Sequence, residues 1–229
     1  KAVKSVGNPD DRFSEDPLRM LRAVRFASRF GFNIERETLE SIRSNLGLLD
    51  QKYVDTDGKI KFRVSRERMA KELLGAIQAS PVRFLSLYEQ TGLLGKILPQ
   101  VAALRGVEQP KAYHSEGDAF VHTQLLLEHL PEKPSLTLAV AGILHDIGKP
   151  ATQKIEGEKI SFHGHEKLSA EMAREILSGY HCPGKFIDEV VWLIEKHLIP
   201  FLTFKEMRWG RQKELMENPL FDELVSLAK

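Results

Sequence analysis

Apolar residues recur at helical spacing in one segment after another of this 229-residue chain, and no sustained strand-like alternation interrupts them. That pattern predicts an all-α fold. Over 17–30 apolar and basic residues interleave, with Asp16 placed to cap the helix, Pro17 in its first turn and Gly31 as its stop. Helices are expected again over 38–46, 65–77 and 81–88, after which Gly92, Gly95 and Pro99 break the pattern. Periodicity is lost over 104–117, then returns in helices near 120–130, 136–145, 168–177, 186–198 and 220–228. The polar segment 50–61, with Asp55-Thr-Asp-Gly58 in its middle, reads as a loop. Segment 154–162, centred on Gly157, reads as a small hairpin. The aperiodic stretch divides the chain into domains 1–110 and 111–229.

With 42% hydrophobic residues the chain can bury a core of one large or two smaller domains. Its longest apolar stretch, Leu136–Leu144, is far too short to span a bilayer, and no secretory signal pattern opens the sequence. No membrane partner is expected, and the cytoplasm is the expected location. The single Cys182 excludes an internal disulfide framework and reads as a small core residue. The 33 basic and 32 acidic residues nearly cancel, so whole-chain charge gives no sign of nucleic-acid binding. Distribution says more. Arg12, Arg19, Arg22, Arg25 and Arg29 crowd the front, and the last four fall on one helical face within an arc of roughly 120°. Lys59, Lys61, Arg63, Arg66, Arg68 and Lys71 form a second basic cluster, whereas no histidine precedes His114.

The histidines carry the sharpest chemistry. They are His122, then His145-Asp146 in Gly142-Ile-Leu-His-Asp-Ile-Gly-Lys-Pro150, then His163-Gly-His165-Glu166, then His197. Imidazole and carboxylate suit borderline and hard divalent cations. An unpaired carboxylate is costly to bury, so Asp146 among Ile143, Leu144 and Ile147 calls for a metal or a strong donor. Lys149 would put a cation beside a bound phosphate. Any one such histidine is ordinarily a hydrogen-bonded core or surface residue; together they resemble the HD superfamily of metal-dependent phosphohydrolases. The resemblance implies His122, His145 and Asp146 as metal ligands, His165 and His197 as ligands of a second metal, and His163 as a weaker match. It also implies Asp146 and Lys149 as catalytic residues, with Asp146 bridging or orienting a water activated by the metal for attack on a phosphoester. The superfamily's final Asp is expected beyond Lys229, since Asp222 sits too early in the last helix to take that role.

On composition the front segment is a capped, solvated, arginine-rich helix. Yet Glu15-Asp16-x-x-Arg19, followed by Leu21-Arg-Ala-Val-Arg-Phe-Ala-x-x-x-Gly31-Phe32, resembles the neck of class II tRNA nucleotidyltransferases and bacterial poly(A) polymerases. That resemblance implies that Asp16 and Arg19 hydrogen-bond the edge of the incoming base, with Arg22 as a helper. A carboxylate accepting from an exocyclic amine and a guanidinium donating to ring acceptors can read cytosine or adenine. Segment 66–72 resembles the next motif of that family, which supports the neck through salt bridges and can touch RNA phosphates.

The combined resemblance implies a helical neck and body followed by a helical HD domain. Its implied function is that of a portion of an enzyme adding C or A to tRNA 3′ ends, with an HD site hydrolysing 2′,3′-cyclic or 2′-phosphates. ATP and CTP would be substrates and a tRNA or other RNA 3′ end the partner. Magnesium would serve the transferase head, and nickel, manganese or cobalt the HD site. The acidic head residues are not in this sequence, so the segment is expected to start about where that head ends. Three alternatives stand beside this reading: a poly(A) polymerase fragment, a stand-alone HD phosphohydrolase with a nucleotide-binding front half, and a non-catalytic RNA-binding module.

Overall fold

The computed structural model describes residues 1–110, 117–157 and 159–228, without the side chains of Phe201 and Leu202. The rest of the aperiodic stretch with His114, Glu158 of the expected hairpin, and Lys229 lie outside the described residues. The chain divides into two compact units, Lys1–Pro99 with Gly179–His181 and Gln100–Ser178 with Cys182–Lys229.

The first unit contains β1 (Ala2–Val3), α1 (Pro9–Glu15), α2 (Leu18–Phe30), β2 (Asn33–Ile34), α3 (Arg36–Asn45), β3 (Lys52–Val54), β4 (Ile60–Phe62), α4 (Arg66–Ala79), α5 (Pro81–Thr91) and α6 (Leu93–Ile97). The short α7 (Pro99–Ala102) runs across the division. The main packing is α2 against α4. Met20, Leu21, Val24 and Ala27 form a stripe at helical spacing that is buried with Met69, Leu73, Ala76 and Ile77. Gly75 leaves room between these helices, since a Cβ there would stand 2.9 Å from Arg25 Cδ. Arg25 can therefore lie across α4 and reach the buried Glu72, 2.6 Å from its Nε.

The all-α reading holds, because among the described residues the strands form only two-stranded pairs. Several local readings change. Helix α1 was not expected; Asn8 caps it by accepting the N–H groups of Asp10 and Asp11, with Pro9 in its first turn. The segment read as a loop is an antiparallel hairpin pairing Lys52 with Phe62 and Val54 with Ile60. All six strand residues are exposed, so no burial alternation marks them; the turn is held by the Asp55 carboxylate, which accepts from Asp57 and Lys59. The parallel pair of β1 with β2 is two residues long, too short for a period to show.

The second unit contains α8 (Ala119–His129), α9 (Leu136–Leu144), α10 (Lys149–Thr152), β5 (Lys154–Glu156), β6 (Lys159–Ser161), α11 (His165–Gly179), α12 (Gly184–Lys196), α13 (Ile199–Leu202), α14 (Trp209–Met216) and α15 (Phe221–Leu227). Helix α9 is its centre: every residue from Thr137 to Leu144 is buried, and α8, α12 and α15 pack around it. A helix apolar on all sides finds its minimum only when enclosed. The expected hairpin is present as β5 and β6, with Gly157 at φ 62. Cys182 is half-buried rather than a core residue, because it follows His181, whose φ of 55 turns the chain after α11. Among the described residues no helix is long and apolar enough to cross a membrane.

Candidate metal centre and base-reading segment

Three helix ends build the cluster in the second unit. Helix α9 stops at His145 and delivers His145-Asp146, α12 stops at His197, and α11 starts at His165. Gly148 lets them converge. A Cβ on it would stand 2.7 Å from the His165 carbonyl oxygen and 2.9 Å from the Ser169 nitrogen, and its own N–H donates to Ser169 Oγ at 2.9 Å. The start of α11 is thus pressed onto the turn that follows Asp146.

Each of the three most buried histidines is oriented by a backbone carbonyl. Nδ1 of His145 lies 3.0 Å from the Gly142 oxygen, that of His165 2.8 Å from Phe162, and that of His197 2.6 Å from Ile194. A carbonyl only accepts, so Nδ1 carries the proton and, in the neutral ring, Nε2 turns its lone pair inward. Asp146 receives them: His145 Nε2 is 3.0 Å from Oδ2, His122 Nε2 is 3.8 Å from Oδ2, and His165 Nε2 is 3.3 Å from Oδ1. Ring centroids of His145 and His165 lie 5.2 and 5.3 Å from that of His197. Asp146 is therefore shared by two groups that could hold a metal ion, one with His122 and His145 and one with His165 and His197.

The donor set fits divalent cations. Lone pairs of His145 and His165 face a carboxylate, an arrangement that is repulsive without a cation or proton between them. Cis ligands of an octahedral ion with bonds of about 2.1 Å lie about 3.0 Å apart, close to these separations. His165 Nε2 and Asp146 Oδ2 are both buried without a well-directed hydrogen bond. Lys149 Nζ is 2.7 Å from that same oxygen, a close ion pair off the hydrogen-bonding direction. Burial pushes the Asp146 carboxyl up, but His145 and Lys149 outweigh it and hold it well below the usual carboxylate range. Burial, reinforced by His145, lowers His197 to about 3, which keeps its imidazole neutral and able to ligate.

Lys149 is itself buried and donates to Gln109 Oε1. Because a lysine can only donate, the amide must face it with its oxygen, which leaves Gln109 Nε2 buried and unpartnered. Sequence reasoning missed Gln109, which comes from the aperiodic stretch and carries no motif. Of the histidines singled out, His163 stays exposed and outside the cluster. Asp222 is exposed as well.

In the first unit Asp16 and Arg19 both lie at the corner between α1 and α2, each held by other partners. Asp16 Oδ1 accepts the Leu18 N–H at 3.1 Å and Oδ2 pairs with Arg68 at 3.0 Å. Asp16 thus acts just ahead of the helix, with Pro17 already in helical conformation. Arg19 Nη1 donates to the Arg12 carbonyl at 2.9 Å and to Glu15 Oε2 at 2.5 Å. That hydrogen bond is the main reason the Glu15 carboxyl is held below its usual range. Arg63 ties the corner further by donating to the carbonyls of Ser14 and Glu15. The exposed Arg22 has no carboxylate partner among the described residues.

The chain is 35% identical to a multifunctional CCA protein of Nitrosomonas europaea across 81% of its own length and 42% of the relative's. It is 35% identical to one from Laribacter hongkongensis, across 96% of this chain and 53% of that one. A CC-adding tRNA nucleotidyltransferase of Thermus thermophilus is 33% identical across 95% of this chain and 49% of the relative. The chain spans about half the length of the curated relatives it matches. The HD domain model matches residues 112–228, a span that is more than half of the chain and holds His122, His145, Asp146, His165 and His197; the chain belongs to the HD domain family.

Proposed function

We propose that this chain is the RNA-handling and HD portion of a tRNA nucleotidyltransferase, with functional domains at 1–110 and 111–229. Its HD site would hydrolyse 2′,3′-cyclic or 2′-phosphates at RNA 3′ ends, and its first unit would read the incoming C or A. The observation that carries the HD reading is Asp146, shared by two histidine pairs whose carbonyl-bound members turn Nε2 inward. Similarity along most of the chain to multifunctional CCA proteins and to a CC-adding tRNA nucleotidyltransferase supports the RNA substrate.

His122 with His145, and His165 with His197, would hold nickel, manganese or cobalt ions, and Asp146 would contribute to either group. Bound there, such ions would supply an activated water and charge neutralisation for phosphoester cleavage. The residues themselves do the rest. Lys149 sets a positive charge beside Asp146, where a phosphoryl oxygen would lie, and the Gln109 amide offers a second donor to it. The carbonyls of Gly142, Phe162 and Ile194 fix the imidazoles so that no reorientation is needed on binding.

In the first unit Asp16 and Arg19 would present an acceptor and donors to the base edge. Only Nη1 of Arg19 is engaged among the described residues, which leaves the rest of the fork for a base. Arg22 would assist, and magnesium, ATP and CTP would belong to the transferase reaction of the longer enzyme.

Hydrolysis of a 2′,3′-cyclic nucleotide tests the HD reading. Activity that depends on added nickel or manganese and is abolished in His145→Ala is expected. Metal-dependent activity that survives this substitution overturns it.

A further inference from the structure

From Pro17 to Ile34 the chain has four arginines and not one carboxylate. Two of the four are neutralised, Arg19 by Glu15 and Arg25 by Glu72. Arg22 and Arg29 are exposed, and neither pairs with a carboxylate among the described residues. Aromatic rings sit between these cations. Phe26 and Phe30 are stacked at 6.3 Å with an interplanar angle of 21°, and Phe30 continues to Phe32 at 5.8 Å. Arg29 lies 5.6 Å from the Phe30 ring and Lys1 6.0 Å from the Phe32 ring. Phe30 is 53% exposed, large for a phenylalanine that a core could have used.

We infer that Phe26, Phe30 and Phe32, with Arg22, Arg29 and Lys1, form a platform on which a single-stranded RNA lays its bases and phosphates. The inference rests on the RNA-end reading above and adds to it a surface that holds the strand. The chemistry selects the occupant. An apolar partner would be met by unpaired guanidinium groups that it could not satisfy, and a folded acidic protein would make little use of a ladder of rings. A single strand needs both features at a short repeat: a flat apolar face for each base and a cation for each phosphate. Helix geometry supplies that repeat, because Arg22, Phe26 and Arg29 with Phe30 follow one another at successive turns of α2, beyond Arg19 at its first turn. A strand on this row would run along the helix that begins at the base-reading corner.

The test is fluorescence anisotropy of this chain with a labelled single-stranded RNA of about a dozen nucleotides, within the range that single-strand sites cover. Loss of one stacking partner predicts that Phe30→Ala binds roughly 5- to 150-fold more weakly. Phe30→Trp should bind within about twofold of wild type or more tightly, since it keeps an aromatic face. Arg29→Gln should reduce the slope of log affinity against log salt by about 0.7, the value for one phosphate on a single strand. A circular dichroism melt of each variant establishes folding.

The proposal is overturned if folded Phe30→Ala and Arg29→Gln both bind RNA like wild type, or if Phe30→Trp binds as poorly as Phe30→Ala. Wild-type binding to phosphatidylglycerol vesicles without binding to RNA overturns it too. Cyclic-nucleotide hydrolysis by the wild-type chain reports on the HD reading separately, so the platform can fail while that reading stands.

Discussion

Lys149 Nζ stands 2.7 Å from Asp146 Oδ2, with the two side chains 5% and 1% exposed. Removing one member of such a pair leaves the other charge buried and uncompensated. With chelator present, Lys149→Met should lower unfolding free energy by about 3–5 kcal/mol in urea titrations. The double variant Asp146→Asn, Lys149→Met should lose much less, because no isolated charge is left. Equal losses in the two would mean that the pair is solvated.

Acid should weaken the metal-free protein before its carboxylates titrate. His197 binds a proton near pH 6.5 when unfolded but only near 3 when folded, chiefly because burial disfavours its charged form. The unfolded state therefore holds more protons between those values, so stability rises with pH across the window and falls as pH drops through it. One proton corresponds to a slope of about 1.4 kcal/mol per pH unit. The depressed Asp146 carboxyl acts lower, stabilising the fold above its unfolded pKa and losing that effect as pH falls through the folded one. His197→Gln should flatten the curve between pH 4 and 6, read by chemical denaturation at each pH; an unchanged slope would place the proton uptake elsewhere.

Gly148→Ala should act on metal affinity as well as on stability. Its Cβ would meet backbone atoms of His165 and Ser169, which give way only if α11 shifts. Overpacking of this kind costs about 1–3 kcal/mol, and the shift carries His165 away from Asp146. Gly47→Ala is the control, since no atom lies within 4 Å of its added Cβ. Thermal melts and nickel titrations should show loss in the first variant and little change in the second.

In a full-length nucleotidyltransferase carrying this segment, Asp16→Ala should abolish discrimination of CTP and ATP from GTP and UTP. Arg68→Ala should loosen that discrimination by freeing Asp16, yet lower stability by less than about 1 kcal/mol, because Arg68 is half exposed. Incorporation assays with the four nucleotides, beside urea titrations, separate the two effects. Retained selectivity in Asp16→Ala would remove it from base reading.

The parts legible in the sequence were those with a strong local cause. Helix α9 announces itself by an apolar run that must be enclosed, and Asp146 by being a carboxylate at the end of it. Helix α1 was missed: the Asn8-Pro9-Asp10-Asp11 order of cap, first-turn proline and early acids marks it, but it carries too few apolar residues for periodicity to find it. The β3–β4 hairpin was hidden because nothing in it is buried. Long-range partners left no trace: Gln109 reaches Lys149 from a stretch without pattern, and Gly148 is needed only because α11 starts against it. Among the histidines, the resemblance ranked His163 below His165, and the turn after β6 exposes the first and buries the second.

Calorimetric titration of the metal-free chain with nickel and manganese, for wild type and Asp146→Ala, decides whether the histidine cluster is a metal site. Saturable binding in the wild type that is lost in the variant is expected, because Asp146 belongs to both candidate metal-binding groups. Undiminished binding in Asp146→Ala, or no binding to either protein, would contradict it and leave the histidines as structural residues.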